Sequence, residues 1–425
     1  MVKEEGVQMY SFSTIGALLG LAVSIVLIIW KVQPAYSLIL GALIGGIIGG
    51  GGLVTTVDTM VSGAQSMMSS VLRILTSGIL AGALIKTGSA EKIAETIVEK
   101  LGEKRAVAAI SIATMIICAV GVFIDISVIT VAPIALAIGK KAGLSKSGVL
   151  LAMIGGGKAG NIISPNPNTI AASEAFEVDL TSLMLQNAIP AVFALVVTIL
   201  LASMLAKKSG NAIGESDLEA QGGKALPGFL PAIAGPVVVI ILLALRPIAS
   251  ISIDPLIALP VGGLVSILVT GNAKNTVSFM EFGLSKVVGV SVLLVGTGAI
   301  AGIIKASALQ YDVINILEAM NMPAFVLAPL AGILMAGATA STTAGATVAA
   351  QTFAPTLIST GVPALSAAAM VHAGATVVDS LPHGSFFHAT GGAVNMSIEE
   401  RMKLIPFEAC IGLTSTIVSV VIFLI

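Results

Sequence analysis

With 56% of its 425 residues hydrophobic and 10% charged, this chain carries less than half the charge of a soluble domain, in which about 25% of residues are Asp, Glu, Lys or Arg. The composition suits a bilayer, and the net charge of −1 leaves no electrostatic footprint for a nucleic acid. Two cysteines, Cys118 and Cys410, are too few for a disulfide framework or a thiolate metal site.

A helix needs roughly 20 apolar residues to cross the hydrocarbon. Apolar runs predict spans over 12–30, 36–54, 106–124, 183–206, 228–245, 255–270, 287–304, 323–340 and 405–425. The first is expected to be retained, because MVKEEGVQMY is acidic where a signal peptide would be basic. Stretches 71–86, 126–139, 147–163, 344–360 and 362–378 are apolar but short or interrupted, and several are expected not to cross fully. The segment 88–104 puts Ile93, Ile97, Val98 and Leu101 on one helical face with Glu and Lys opposite, as an interfacial helix would. The segment 306–322 takes the equivalent place later in the chain. A polar linker, 207–227, separates an N-terminal unit (1–206) from a C-terminal one (228–425). Lysines cluster at 86–105, 140–146 and 207–208, whereas Arg246, Lys305, Arg401 and Lys403 fall on the other side of an inverted arrangement, so charge does not fix the orientation. Abundant glycine (46 residues) and scarce aromatics (4%) predict a tightly packed helical bundle. An outer-membrane barrel would carry aromatic girdles instead.

The two units repeat. IGGGKAGNIISP (154–165) aligns with VHAGATVVDSLP (371–382), the prolines being 382 − 165 = 217 residues apart, and Gly157 and Gly374 keep that register. VAPIALAI (131–138) answers FAPTLIST (353–360), and SLMLQNAIP (182–190) answers ERMKLIP (400–406) with a slip of one residue. Two diverged halves, each interrupted at the same place, are the signature of a secondary transporter whose substrate site lies at the interruptions. The fold expected is therefore an all-α polytopic membrane protein of two inverted repeats with broken helices or re-entrant hairpins.

No helix can run through SPNPN (164–168), since Pro165 and Pro167 remove donors and disfavour helix at the residues before them. A broken backbone survives in lipid only where protein or water serves it. A re-entrant hairpin is the simplest geometry, with a second arm capped by Asn168 or Thr169 and its positive end toward an anion. Candidate substrate ligands here are Lys158, Asn161, Ser164, Asn166, Asn168 and Thr169. The other unit offers Ser341, Thr342 and Thr343 in TASTTAGATVAAQ, and Ser380, His383, Gly384 and Ser385 in DSLPHGSFFH. Ionisable residues within spans are costly and usually functional. Asp125, Asp379 and His383 are the candidates for carrying a coupling proton, and Asp379 and His383 are close enough in sequence to share one across the proline. Lys158 either binds the anion or pairs with Asp125 or Asp379 to hold the breaks together. Glu174, Glu177 and Asp179 are expected at a water-exposed end, and His388 is expected to be packed and bonded at an interface.

The stretches GGGKAGNIISPNPNTIAA and HAGATVVDSLPHGSFFHATGG resemble the gluconate permease family of bacterial inner-membrane symporters, including its 3-hydroxybutyrate permease-like branch, and the wider ion-transporter superfamily of citrate and dicarboxylate carriers. The resemblance covers most of 70–425, and the DSLPH run is its most specific element. It implies proton-coupled symport of a small organic anion such as gluconate or another hydroxy-carboxylate, no cofactor, a homodimer, and an elevator-type moving domain. It also places Ser164, Asn166, Asn168 and Thr169 at one tip and Ser380, His383, Gly384 and Ser385 at the other. The chain departs from the family at the first break, where a Pro-Pro-His-Pro-like run is replaced by Ser164-Pro165-Asn166-Pro167-Asn168. A sodium-coupled di- or tricarboxylate carrier is the alternative within transport. A membrane-embedded enzyme lacks support, because no HExxH or diphosphate-binding motif occurs. A channel fits duplicated, facing breaks less well than a carrier does.

Overall fold

The computed structural model describes residues 11–208, 212–218, 225–249, 251, 253–309, 311, 312, 315, 319, 323–382 and 384–425. Among them the regular structure is helical, with no strand beyond isolated bridges. Before residue 212 the chain runs α1 (Thr14–Ile29), α2 (Pro34–Ile48), α3 (Gly52–Ser66), α4 (Met68–Lys86), α5 (Ser89–Leu101), α6 (Ala106–Ala119), α7 (Ile124–Lys141), α8 (Lys146–Asn161), α9 (Pro167–Ala175), α10 (Leu180–Gln186) and α11 (Ala188–Lys208). After residue 225 it runs α12 (Phe229–Ala249), α13 (Pro255–Val269), α14 (Thr276–Lys305), α15 (Leu327–Thr339), α16 (Thr342–Ser359), α17 (Ala364–Gly374), α18 (Ser385–Gly392), α19 (Ile398–Met402) and α20 (Ile405–Leu424). The bounds of α7 and α16 differ by 218 at both ends (342 − 124 and 359 − 141), and the starts of α11 and α20 by 217 (405 − 188).

Apolar residues lie outside as well as inside. On α11, Ile189, Val192, Phe193 and Leu200 are exposed while Ala191, Ala194 and Ala202 are buried. Such all-round hydrophobicity is what lipid contact requires. Met68–Lys86, Ala188–Lys207, Ala273–Lys305 and Ile398–Leu424 are, among the described residues, long and apolar enough to cross a membrane. The chain is thus a multi-pass membrane protein. The amphipathic α5 buries Ile93, Ala94 and Val98, as its pattern predicts. Most of the 306–322 stretch lies outside the described residues.

Several boundaries differ from the sequence expectation. The run 106–124 is not one helix, for it breaks after Ala119 and restarts at Ile124. The segment 71–86 is not short, because α4 starts at Met68 and carries the partly buried Arg73 within it. It can do so because the guanidinium donates to both Asp254 oxygens (2.9 and 2.6 Å) and to Glu174. Glu174 is therefore paired rather than simply solvated, and Asp179 caps α10 by accepting from Ser182 N–H at 2.9 Å. The described part of the linker, 212–218, is tethered: Glu215 pairs with Lys140, and Asp217 with Lys146 at 2.6 Å. Burial raises the Asp217 carboxyl, but the Lys146 ammonium and the Gly214 N–H more than offset it and hold the group below its ordinary range.

Small residues set the close contacts. The GGGK run of α8 touches two helices: a Cβ on Gly156 would lie 2.1 Å from the Ser111 carbonyl of α6, and one on Gly155 would lie 2.2 Å from Thr198 Oγ1 of α11. Likewise α4 and α14 cross at glycines, where a Cβ on Gly283 would meet the Gly78 carbonyl oxygen at 1.9 Å. Overpacking such a contact costs about 1–3 kcal/mol. Gly283→Leu is accordingly expected to lower the thermal unfolding midpoint of the purified protein, whereas Gly392→Ala, with open space around it, should leave it nearly unchanged.

Candidate functional site

The first break is held by three asparagines. The residue that caps α9 is Asn166, not Asn168 or Thr169: its Oδ1 accepts from the N–H groups of Asn168 (3.0 Å) and Thr169 (3.2 Å), with Pro167 at the first helical position. Proline there sacrifices a donor that a helix start leaves free anyway. Asn166 Nδ2 donates back to Asn161 Oδ1 at 2.6 Å, and Asn168 Nδ2 donates to the same oxygen at 3.0 Å. Ser164 Oγ donates to the Cys118 carbonyl (2.6 Å) and Asn187 Nδ2 to the Ile162 carbonyl (3.1 Å). Side chains thus serve the backbone groups that no helix serves, as lipid demands.

The second break centres on Asp379. Its Oδ1 accepts from Lys158 Nζ at 2.5 Å and Ser380 Oγ at 2.9 Å, and its Oδ2 accepts from Thr342 Oγ1 at 2.5 Å. Lys158 also donates to the Thr376 carbonyl. With Lys158 at 2% and Asp379 at 1% exposure, this ion pair is dry, and it ties the first break to the second. His388 Nε2 contacts the Pro382 carbonyl at 2.8 Å, and its ring stands edge-on to Phe387. His383 lies outside the described residues. The tips cross over between units: α9 packs on α16 and α17, and α18 packs on α7 and α8.

Between the breaks lies a cavity of about 710 Å³. Asp125 of α7, Asn168 of α9, Ser341, Thr342 and Thr343 at the start of α16, and Gly384 and Ser385 at the start of α18 all line it. Four helix N-termini therefore converge on one space. Each carries roughly half a positive charge. The start of α18 has no side-chain cap bond, whereas at the start of α7 the Asp125 carboxyl accepts from the Asp125 and Ile126 N–H groups. Gly384 lets the start of α18 lie against Ala340, since a Cβ there would be 2.3 Å from the Ala340 carbonyl oxygen. Asn161 lines the cavity as well. Lys158, Ser164, Asn166, Thr169, Asp379 and Ser380 are not among its lining residues; their side chains hold the breaks together instead.

Sequence reasoning missed Lys286 and Lys31, both of which line the cavity. Lys286 was hidden because the apolar run starts at residue 287, whereas α14 starts at Thr276 and carries the lysine inside the helix. The usable signal was a lone lysine joined without a turn residue to a long apolar run.

A family model described as GntP family permease matches residues 12–425. The chain belongs to the GntP permease family. An uncharacterized transporter of Haemophilus influenzae is 54% identical over 415 residues, covering 98% of this chain and 99% of the relative. The Gnt-II system L-idonate transporter of Escherichia coli is 22% identical over 409 residues, covering 90% of this chain and 92% of that one. The solved structure of the Alcanivorax borkumensis YdaH transporter superposes with a TM-score of 0.67 at 14% identity, covering 94% of this chain and 98% of that chain, and shares the fold. As a GntP family permease the chain is a membrane transporter.

Removing one member of a buried ion pair costs about 3–5 kcal/mol, whereas replacing both by apolar groups is often neutral. Lys158→Met and Asp379→Leu singly should therefore destabilise this permease strongly, and the double variant should recover most of the loss, as read by thermal unfolding of the purified protein.

Proposed function

We propose that this permease is a secondary active symporter of a small organic anion, such as gluconate or another hydroxy-carboxylate, coupled to protons and resident in a bacterial inner membrane. The observation that carries the reading is the convergence of four positive helix ends and two lysines on one cavity. A carboxylate placed there replaces its hydration shell with fixed N–H dipoles and ammonium groups. The matched bounds of α7 with α16 and α11 with α20 support two inverted repeats, with units at 1–206 and 228–425 joined by the 207–227 linker. The crossed packing of α9 and α18 supports a moving body built from both breaks, as an elevator mechanism requires. A homodimer completes the proposal by analogy with the wider superfamily.

For coupling, the proposal keeps Asp125, Asp379 and His383. Asp125 faces the cavity. Asp379 is paired with Lys158 behind the cavity. Proteoliposomes loaded at alkaline pH and diluted into acid should accumulate gluconate above its external level without sodium. Accumulation that needs sodium would replace protons by sodium and favour the di- or tricarboxylate carrier, and downhill flux alone would replace a carrier by a channel. Asp379→Asn and His383→Gln should flatten the pH profile of uptake. A wild-type profile in both leaves Asp125 as the coupling group. Lys286→Gln removes a charged hydrogen bond worth about 1.5–3 kcal/mol, and the anion affinity should fall roughly 10- to 150-fold in calorimetry.

A further inference from the structure

Two buried amides at the cavity wall are only half used. Asn161 closes α8 and Asn168 opens α9, and they are 1% and 3% exposed. Asn161 Oδ1 is occupied, accepting from both Asn166 and Asn168. Asn161 Nδ2 has no partner, and neither does Asn168 Oδ1. Both residues line the same cavity. A buried donor and a buried acceptor are thus left open on two amides joined by one 3.0 Å hydrogen bond.

This pairing of open valences is selective. A carboxylate oxygen would satisfy Asn161 Nδ2 but place negative charge against Asn168 Oδ1. An ammonium would satisfy the oxygen and repel the amide hydrogens. A hydroxyl does both, accepting from the one and donating to the other. Both unpartnered atoms are almost fully covered in this conformation, so a substrate hydroxyl reaches them as the two amides turn toward the cavity that both residues line. The carboxylate belongs elsewhere in the cavity, at the uncapped start of α18 and beside Lys286. The wall therefore separates two tasks: charge is met by helix ends and lysine, and the hydroxyl by the asparagines.

We infer that Asn161 and Asn168 are specificity-determining residues that read a hydroxyl group on the transported carboxylate. The inference rests on the carrier reading above. It further requires that the transporter discriminate hydroxylated anions from their deoxy counterparts through these two amides.

The test is calorimetric titration of the purified full-length protein with matched probes: lactate against propionate, 3-hydroxybutyrate against butyrate, and gluconate against hexanoate. In at least one pair the hydroxylated member should bind the wild type about 10- to 100-fold more tightly. Asn168→Ala removes the acceptor. Asn161→Asp keeps an oxygen for Asn166 and Asn168 and replaces the open N–H donor with a carboxylate oxygen, whose added charge weakens both members of a pair alike. Both should cut the hydroxyl-to-deoxy ratio to less than about threefold, and the ratio, unlike absolute affinity, is insensitive to a general weakening of the site. A wild type that binds both members of every pair equally overturns the inference and leaves the carrier reading intact, a result available even if a variant does not fold. So does a ratio that survives both substitutions. Failure to bind any of the anions removes the carrier reading, and the inference with it.

Discussion

The Lys158–Asp379 ion pair is the contact on which the centre of this transporter depends. It joins a helix of the first unit to the broken segment of the second, and Thr342 and Ser380 complete the carboxylate's shell. Desolvating two charges this fully is unfavourable unless their remaining valences are met. Here the Thr376 carbonyl takes a further proton of the lysine. Because Thr342 is also the first residue of α16, the same network fixes where that helix begins. The position of one positive helix end at the cavity thus follows from a charge pair buried behind it.

The first break solves the same problem with neutral groups. Asn161, Asn166 and Asn168 exchange hydrogen bonds among themselves and cap α9, so no net charge is buried there. The two breaks therefore differ in chemistry while sharing a place in the fold. One supplies a rigid charged anchor. The other supplies a polar amide face with valences to spare. Glycine makes both possible: the GGGK run lets α8 lie against α6 and α11, which puts Lys158 and Asn161 deep enough to meet partners from the rest of the chain.

A second charged seam lies away from the cavity, where Arg73 of α4 holds Asp254 at the start of α13 and Glu174 near the end of α9. It links helices of the outer framework to an arm of the first break. The asparagine network and this seam hold the arm at both ends, and α9 is only nine residues long. A short helix has little cooperative stability of its own, so its placement is owed to these attachments.

Much of this was legible in the sequence. Composition dictates a membrane-spanning helical chain, because so few charged residues cannot clothe a soluble surface. Single prolines are tolerated inside helices, as Pro133 and Pro355 are, but Pro165 and Pro167 two residues apart each remove a donor and disfavour helix at the preceding residue, which predicts a break. The recurrence of IGGGKAGNIISP as VHAGATVVDSLP dictates a second break at the matching place. The sequence did not reveal which asparagine caps the new helix, since Asn166, Asn168 and Thr169 are all competent and only the backbone direction selects among them. Nor did it decide whether Lys158 meets substrate or Asp379, since those partners are 221 residues apart, and the lone lysine joined to an apolar run signals that Lys286 lies inside a helix but not that it faces the cavity. Local rules of donors, acceptors and helix-breaking act between neighbours and can be read along the chain. Pairings across hundreds of residues depend on how the helices pack, and only the tertiary structure decides those.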